Sequence, residues 1–366
     1  MLKFQLALTF LPGIGDITAK KLVAYCGSAE AVFSEKQSLL TRIPGIGETI
    51  AEFILLSKEQ ALCRAEQEMA FLEKSDITPL FFLDTDYPFR LKNCIDGPVM
   101  LYMKGRTNLN AARVVSIVGT RSATDYGREL CDRFVAGLAG PDMLIVSGLA
   151  YGIDGQAHKA ALNNNIPTVG VVAHGHDLLY PPLHKSLAEK MLENGALITD
   201  FPSGTRTEKE NFPKRNRIIA GMADAVLIIE AAKKGGALIT GEIANSYSRD
   251  VFAVPGRVGD VYSEGCNYFI KINKAALAVS ADDIKYIMGW DDTAKNGKPV
   301  QQLLFPELKP EEEKIVELLR QSEELSIDEL CTDTGIMPGR MASLLLNLEF
   351  SGLIKCLPGK VYRLIR

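Results

Sequence analysis

The sequence predicts an α/β protein, with a parallel-sheet core set between a helical module at the N-terminus and a small helix-and-hairpin module at the C-terminus. Three observations carry this. Between residues 80 and 288, short β-branched runs alternate with amphipathic stretches of helical length. Ahead of them Leu11-Pro12-Gly13-Ile14-Gly15 recurs as Ile43-Pro44-Gly45-Ile46-Gly47, and a helical pattern follows each copy. Behind them, three helical patterns and a hairpin close the chain. The expected divisions are 1–75, 80–288, a linker over 289–308, and 309–366.

Composition bounds the function. A chain of 366 residues suggests two or three domains at roughly 150 residues each. With 47% apolar and 23% charged residues it reads as a soluble globular protein. Lys and Arg number 41 against 45 Asp and Glu, a net charge of −4, which excludes a histone-like or polybasic-tail protein. Any nucleic-acid site is therefore a local basic patch on an acidic whole. The seven cysteines form no CxxC pair and leave one over, which fits a reducing compartment and argues against a disulfide scaffold or a structural zinc. No apolar run approaches the ~18–20 residues that span a bilayer. The apolar stretch Met1 to Leu11 meets Pro12-Gly13 without a small-residue cleavage site, so it is expected to be the first helix of a cytoplasmic protein with no membrane partner.

In the first segment, helical patterns at Thr18–Ala24 and Thr49–Leu56 follow the two glycine turns. A hydrophobic-Gly-hydrophobic-Gly turn between helices resembles the helix-hairpin-helix motif, whose backbone N–H groups can hold a phosphate. Lys20 and Lys21 favour that use of the first copy. Glu48 and Glu52 oppose it in the second, leaving a tandem hairpin kept for packing as the alternative.

In the second segment the predicted strands are Val114–Val118, Leu144–Val146, Thr168–Val172, Ala196–Ile198, Ala225–Ile229 and Val251–Val254. Helical patterns lie at 126–138, 155–163, 184–194, 213–221 and 237–247. This alternation argues a parallel sheet with helices on both faces, and in such sheets ligands gather beyond the carboxyl ends of the strands. In the third segment, helices at Glu311–Arg320, after Ser326-Ile327-Asp328-Glu329 and at Gly339–Phe350 precede a hairpin turning at Pro358-Gly359-Lys360. This is the element order of a winged helix. Its third helix offers only Arg340 as a cation and carries Glu349, so protein contact competes with DNA contact as its role.

The strand ends carry the chemistry. After the first strand, Gly119 lets the chain turn sharply, and the N–H groups around Thr120–Ser122 with the Arg121 guanidinium could grip a phosphate. The GxGxxG dinucleotide fingerprint is absent, and with it the strongest argument for a nicotinamide cofactor. Ser147, Asp154 and His158 invite a hydrolytic triad, but no Gly-x-Ser-x-Gly elbow surrounds Ser147. Asp154 and His158, four apart, are expected to bond each other, or Asp154 to cap its helix after the Gly148 loop. His174, His176 and His184 near Asp177 could be imagined as metal ligands, but loop or cap histidines are the simpler reading.

The most informative stretch is 203–220. It runs Arg206, Lys209, Phe212, Lys214, Arg215, Asn216 and Arg217, with Glu208 and Glu210 interleaved. Cations around an aromatic ring suit single-stranded nucleic acid, with the cations on the backbone and the ring as a stacking surface. Lys233-Lys234-Gly235-Gly236, after the fifth of these strands, opens a helix at the same edge and supplies further N–H groups.

In this order the motifs resemble the DNA-processing protein A family (DprA, also called Smf), over nearly the whole chain. They are Tyr87-Pro88 with Asp96-Gly97-Pro98; Val118-Gly119-Thr120-Arg121; Ser147-Gly148-Leu149-Ala150-Tyr151-Gly152-Ile153-Asp154 with Ala157-His158; Tyr180-Pro181; Phe212-Pro213-Lys214-Arg215-Asn216-Arg217-Ile218-Ile219-Ala220-Gly221; and Val254-Pro255-Gly256. The resemblance implies an extended Rossmann-like core flanked by a helix-hairpin-helix (SAM-like) module and a winged-helix-like domain. It also implies a homodimer that binds single-stranded DNA, protects incoming DNA in natural transformation and loads the RecA recombinase, with single-stranded-DNA-binding protein as a further partner. No covalent chemistry, catalytic residue, cofactor or metal is implied. The family's basic pocket carries over onto Arg121, Lys209 and Phe212, with Arg215 and Arg217 beside them. The full expected DNA-binding set adds Gly119, Thr120, Ser122, Gly148, Lys214, Asn216, Gly235 and Gly236. Two departures stand out: Thr199-Asp200 replaces the usual Ser-Glu, and Gly235-Gly236-Ala237 replaces a common Ser-Gly-Ser. The alternative is a nucleotide-processing hydrolase of the same Rossmann-like superfamily, suggested by a distant echo of its glycine loop in Gly235-Gly236 to Glu242.

Overall fold

The computed structural model describes residues 1–290, 308–322, 324–357 and 359–365. It forms two compact units that divide between Met288 and Gly289. Most of the expected linker, and Pro358 of the expected hairpin turn, lie outside the described residues.

The first unit begins with helices α1 (Leu2–Thr9), α2 (Asp16–Cys26), α3 (Ala29–Ser34), α4 (Gln37–Leu40) and α5 (Glu48–Lys74). The two glycine turns behave alike. Gly13 and Gly45 take positive φ, and Gly15 and Gly47 cap α2 and α5. The second helix runs well past the predicted span because Ala51, Ile54, Ala61, Ala65 and Leu72 continue one buried stripe. Glu68 lies in that stripe and is also buried.

The remainder is one sheet with helices on both faces. In order come β1 (Ile77–Phe81), α6 (Phe89–Lys92), β2 (Met100–Gly105), β3 (Arg113–Val118), α7 (Asp125–Leu138), β4 (Met143–Ser147), α8 (Ile153–Asn163) and β5 (Thr168–Val171). There follow α9 (Lys185–Glu193), β6 (Gly195–Thr199), α10 (Asn211–Met222), β7 (Ala225–Ile228), α11 (Gly236–Ser246), β8 (Asp250–Ala253), α12 (Glu264–Lys271), β9 (Ala276–Leu277) and α13 (Ala281–Ile287). The strand order is β1-β2-β6-β5-β4-β3-β7-β8-β9. All neighbours from β6 to β9 pair in parallel, whereas β1 and β2 add an antiparallel edge beside β6. From β3 the chain winds one way through β4, β5 and β6, and then returns to lay β7 and β8 on the other side of β3. That reversal opens a crevice at the carboxyl ends of β3 and β7.

Two large cores hold this unit, beside a smaller cluster of Leu149, Val172, Leu187, Met191 and Leu197 under α9. One lies about the central strands and α10, and the other joins the N-terminal helices to Phe81, Val99, Met100 and Tyr102 of the antiparallel edge. The helical module and the sheet therefore share apolar packing rather than meeting only at a polar surface.

The second unit has α14 (Pro310–Gln321), β10 (Leu325–Ser326), α15 (Ile327–Thr334), α16 (Pro338–Phe350), β11 (Ile354–Leu357) and β12 (Val361–Leu364). Ser326 and Glu329 form a reciprocal capping box on α15, as the sequence pattern predicts. The strands form a three-stranded sheet in the order β10-β12-β11, completing a winged helix.

Candidate nucleic-acid interface

The crevice between β3 and β7 is an open cleft of about 520 Å³. Gly119, Thr120 and Arg121 enter it from the turn after β3. Lys209, Phe212, Arg215 and Asn216 enter it from the start of α10, and Lys234, Gly235 and Gly236 from the turn before α11. Nine of the thirteen sequence-predicted residues thus converge at one edge. Gly148 lines a narrow recess that continues past Phe212 between Tyr151, His174 and Tyr180. Ser122 is exposed and lies outside the lining of both.

Lys214 and Arg217 are placed elsewhere. Both line a second cavity of about 560 Å³ with Asp16, Asp96, Asp200 and Tyr247. Arg217 Nη2 donates to Asp16 Oδ2 at 2.9 Å and to Asp200 Oδ2 at 2.7 Å, while Nη1 donates to the Asp96 carbonyl. Burial alone would ease its proton off, but Asp200 and Asp16 more than offset this and hold the guanidinium more firmly protonated than usual. The expectation that Arg217 joins the basic pocket therefore fails on geometry. Residues two apart on a helix point about 200° from each other, so Arg215 and Arg217 face opposite ways.

The first hairpin turn is occupied too. At the start of α2, Asp16 Oδ1 accepts from the Val99 amide at 2.9 Å, and Lys20 Nζ donates to the Cys94 carbonyl at 3.2 Å. This end of the motif is a joint to the sheet domain.

Within the cleft, Arg121 lies over Phe212 with its guanidinium carbon 4.8 Å from the ring centroid, and the edge of Tyr180 meets the same ring. Phe212 thus positions a cation as well as offering a surface. Arg215 is buried beneath; its Nη1 donates to the Gly148 carbonyl at 2.6 Å and to the Val171 carbonyl. Burial lowers its pKa to about 10, with Asp154 opposing and Arg121 adding to the shift, so it remains charged at neutral pH. Gly148 is required here. A Cβ on it would stand 2.5 Å from Asp154 Oδ2 and 2.8 Å from Arg215 Nη2. Gly152 is required twice over, by its φ of 77° and because a Cβ would lie 2.1 Å from the Thr120 carbonyl.

The two glycine loops are tied together. The Thr120 amide donates to the Glu230 carbonyl at 2.7 Å, and the Glu230 carboxylate accepts from the Thr124 amide and hydroxyl. Ser122 N donates to Thr120 Oγ1 at 3.2 Å. Of the three amides expected to grip a phosphate, two are already committed, Thr120 to the neighbouring loop and Ser122 within its own. Arg121 and the start of α11 line the open cleft instead. Asn216 Nδ2 reaches the Gly236 carbonyl at 3.4 Å and so joins α10 to that helix start.

Asp154 and His158 do not bond each other. Asp154 sits in the first turn of α8, which Gly152 caps, and accepts from the loop amides of Gly148 and Ala150. Burial pushes its carboxyl up, while Arg215 pulls it back. His158 points into the core, where Nδ1 bonds Thr168 Oγ1 at 2.7 Å, and burial lowers its pKa to about 3. Ser147 Oγ is buried and donates to the Ile117 carbonyl at 2.5 Å, so this trio has no triad geometry. His174 accepts from the Tyr180 amide, His176 bonds the Tyr102 carbonyl and His184 bonds the Leu149 carbonyl. Among the described residues no group of three or more His, Cys, Asp or Glu could hold a metal. Nor is any described helix long and apolar enough to cross a membrane.

One contribution escaped the sequence reading. Glu68 of α5 accepts from the Ser203 amide at 2.9 Å and from its hydroxyl, and Arg64 Nη2 donates to the Ser203 carbonyl at 2.8 Å. The N-terminal module thereby pins the loop that carries Lys209. The one available signal was a glutamate at a stripe position of an amphipathic helix.

A doubly wound domain with a cationic, glycine-walled crevice at its switch point, bearing a helix-hairpin-helix module and a winged helix, defines a class of nucleic-acid-processing proteins. The chain belongs to the DNA recombination-mediator protein A family, whose model matches residues 78–288. A DprA winged-helix model matches residues 303–360, and a SAM-like helix-hairpin-helix tandem matches 5–57. Protein Smf of Synechocystis is 30% identical, with 98% of each chain covered. The crystal structure of DNA processing protein A from Streptococcus pneumoniae superposes with a TM-score of 0.65 at 30% identity, covering 78% of this chain and 98% of that one. The Helicobacter pylori protein, described for its single-stranded DNA binding mode, gives a TM-score of 0.53 at 25% identity, covering 59% and 96%.

Proposed function

We propose that this chain binds single-stranded DNA in the β3–β7 cleft, without base specificity and without covalent chemistry, as a recombination mediator. The observation that carries the reading is the convergence of Arg121, Lys209 and Lys234 around Phe212, with the start of α11 as a further wall. Exposed cations take the phosphates, and an aromatic ring beside them takes a base whatever its identity. Gly119, Thr120, Asn216, Gly235 and Gly236 line the backbone track, and Gly148 and Arg215 form its floor. Because the backbone dominates such binding, affinity falls steeply with salt. The relatives' names and the Helicobacter structure support the same reading. In the cell the chain acts as a homodimer that protects incoming strands and loads RecA onto them, alongside single-stranded-DNA-binding protein.

The test is fluorescence anisotropy of a labelled oligo-dT against an equal-length duplex, with a salt titration and Arg121→Glu as control. Single-strand preference lost in the variant is expected. Equal or absent binding sinks the mechanism, and release of base from a nucleoside monophosphate would point to the hydrolase alternative. RecA loading is read separately, as faster filament formation on protein-coated strands.

A further inference from the structure

The recess that runs on from Phe212 differs in kind from the cleft beside it. Tyr151, His174 and Tyr180 line it with Phe212, and its only charged lining residues are Arg121 and Arg215. Its volume is about 10 Å³, room for about one water, so a base cannot enter it. A base can only lie across its mouth.

Phe212 offers that base little free ring. The Arg121 and Arg215 guanidinium carbons stand 4.8 and 5.9 Å from its centroid, and Tyr180 meets it edge-on. The two tyrosines are more open, Tyr151 to 36% and Tyr180 to 40%. Tyr151 also sits on a fixed loop. The Ile153 amide donates to the Thr120 carbonyl at 3.2 Å, and the Gly155 amide to the Ala150 carbonyl at 3.0 Å. The Tyr151 ring packs against His184, whose Nδ1 bonds the Leu149 carbonyl at 3.0 Å. A ring held in this way stacks a base with little further loss of side-chain freedom.

We propose that Tyr151 is a base-stacking platform of the single-strand site, taking a base across the mouth of the recess with Tyr180 beside it. The inference rests on the reading of the cleft given above and extends its stacking surface beyond Phe212. Phosphates follow the cations of the cleft, and bases turn toward the aromatic recess. Because every base has a stacking face, the platform adds affinity without base preference.

The test is an abasic scan read by fluorescence anisotropy, using the full chain and the shortest oligo-dT that keeps the parent's affinity. Tyr151→Ala is expected to weaken binding about tenfold, as loss of one stacked base does. The slope of log affinity against log salt and the unfolding midpoint stay as in the parent, because no phosphate contact is lost. Tyr151→Phe keeps the ring and should stay within about twofold of the parent. In the parent, one abasic position should cost about tenfold, and in Tyr151→Ala that same position less than about twofold. Tyr151 is the position to vary because its ring contact is with His184, which leaves the Arg121–Phe212 pair undisturbed. Unchanged binding in Tyr151→Ala, or an abasic penalty that persists in it, would overturn the proposal. So would a flattened salt slope in Tyr151→Ala, or a Tyr151→Phe as weak as Tyr151→Ala. Arg121→Glu, run alongside, separates the two readings. Binding lost there but unchanged in Tyr151→Ala overturns the platform alone, whereas binding unchanged in Arg121→Glu overturns the cleft and the platform together.

Discussion

The two sides of α10 use the same residue types to opposite ends. On the cleft side Arg121, Lys209 and Lys234 are exposed, and the only carboxylate in the lining is Asp154, buried beside Arg215. On the far side Arg217 is enclosed by Asp16, Asp200 and the Asp96 carbonyl. One cationic run therefore supplies both an open site and a closed joint, and the local countercharge decides which. A basic stretch in a sequence marks a site only for those residues that the helix turns away from carboxylates.

The largest expected effect tests the joint. Arg217→Ala leaves Asp16 and Asp200 facing each other unpaired and should cost about 3 kcal/mol in urea unfolding, with single-strand affinity changed less than about threefold. A hundredfold loss of affinity at unchanged stability would move Arg217 into the cleft and dissolve the contrast. Arg121→Glu should give the reverse pattern, about a hundredfold weaker binding at an unchanged unfolding midpoint, because the side chain is exposed.

Acid should separate the joint from the buried histidines as well. In the joint, burial raises the Asp200 pKa, so the folded state accepts that proton more readily than the unfolded chain and acidification through this group is not destabilising. Away from the joint, burial lowers His158 in the core to about 3 and His176, against the Tyr102 carbonyl, to about 4. The unfolded chain takes up these protons below pH ~6.5 while the folded one refuses them, so stability falls as pH drops from there toward 4. Each histidine contributes up to about 1.4 kcal/mol per pH unit. Denaturation of His158→Asn between pH 6 and 4 should show a shallower slope, and an unchanged slope would return the acid limb to the carboxylates. The smallest effect belongs to Gly236→Ala, where a Cβ meets nothing within 4 Å. Stability should move by less than about 0.5 kcal/mol, and a larger loss of affinity would mean that ligand backbone approaches closely there.

Much of the central sheet was legible because strands buried on both faces read as unbroken β-branched runs, and the parallel core carries six of them. The antiparallel edge was not. Ile77–Phe81 contains Pro79, and Met100–Gly105 ends in Lys104-Gly105, so neither offers such a run. Strand order was beyond reach because nothing local says on which side of β3 the chain resumes. In the cleft, loop residues beside strand ends were found by position and chemistry. Arg217 was misplaced because its partner Asp16 lies 201 residues away in sequence. Asp154 and His158 were misjudged because a spacing of four makes neighbours on a helix without saying which one turns inward.

The tie between Glu68 and Ser203 bears on any attempt to shorten this protein. Trimming the chain to begin after α5 would leave Phe81, Val99 and Tyr102 bare to water, take Asp16 from Arg217 and cut the loop before Lys209 loose at its anchor. A workable truncation would need polar replacements along the antiparallel edge, a substitute countercharge for Arg217 and a new tether at Ser203. The helical segment at the N-terminus is less an appendage than a bracket.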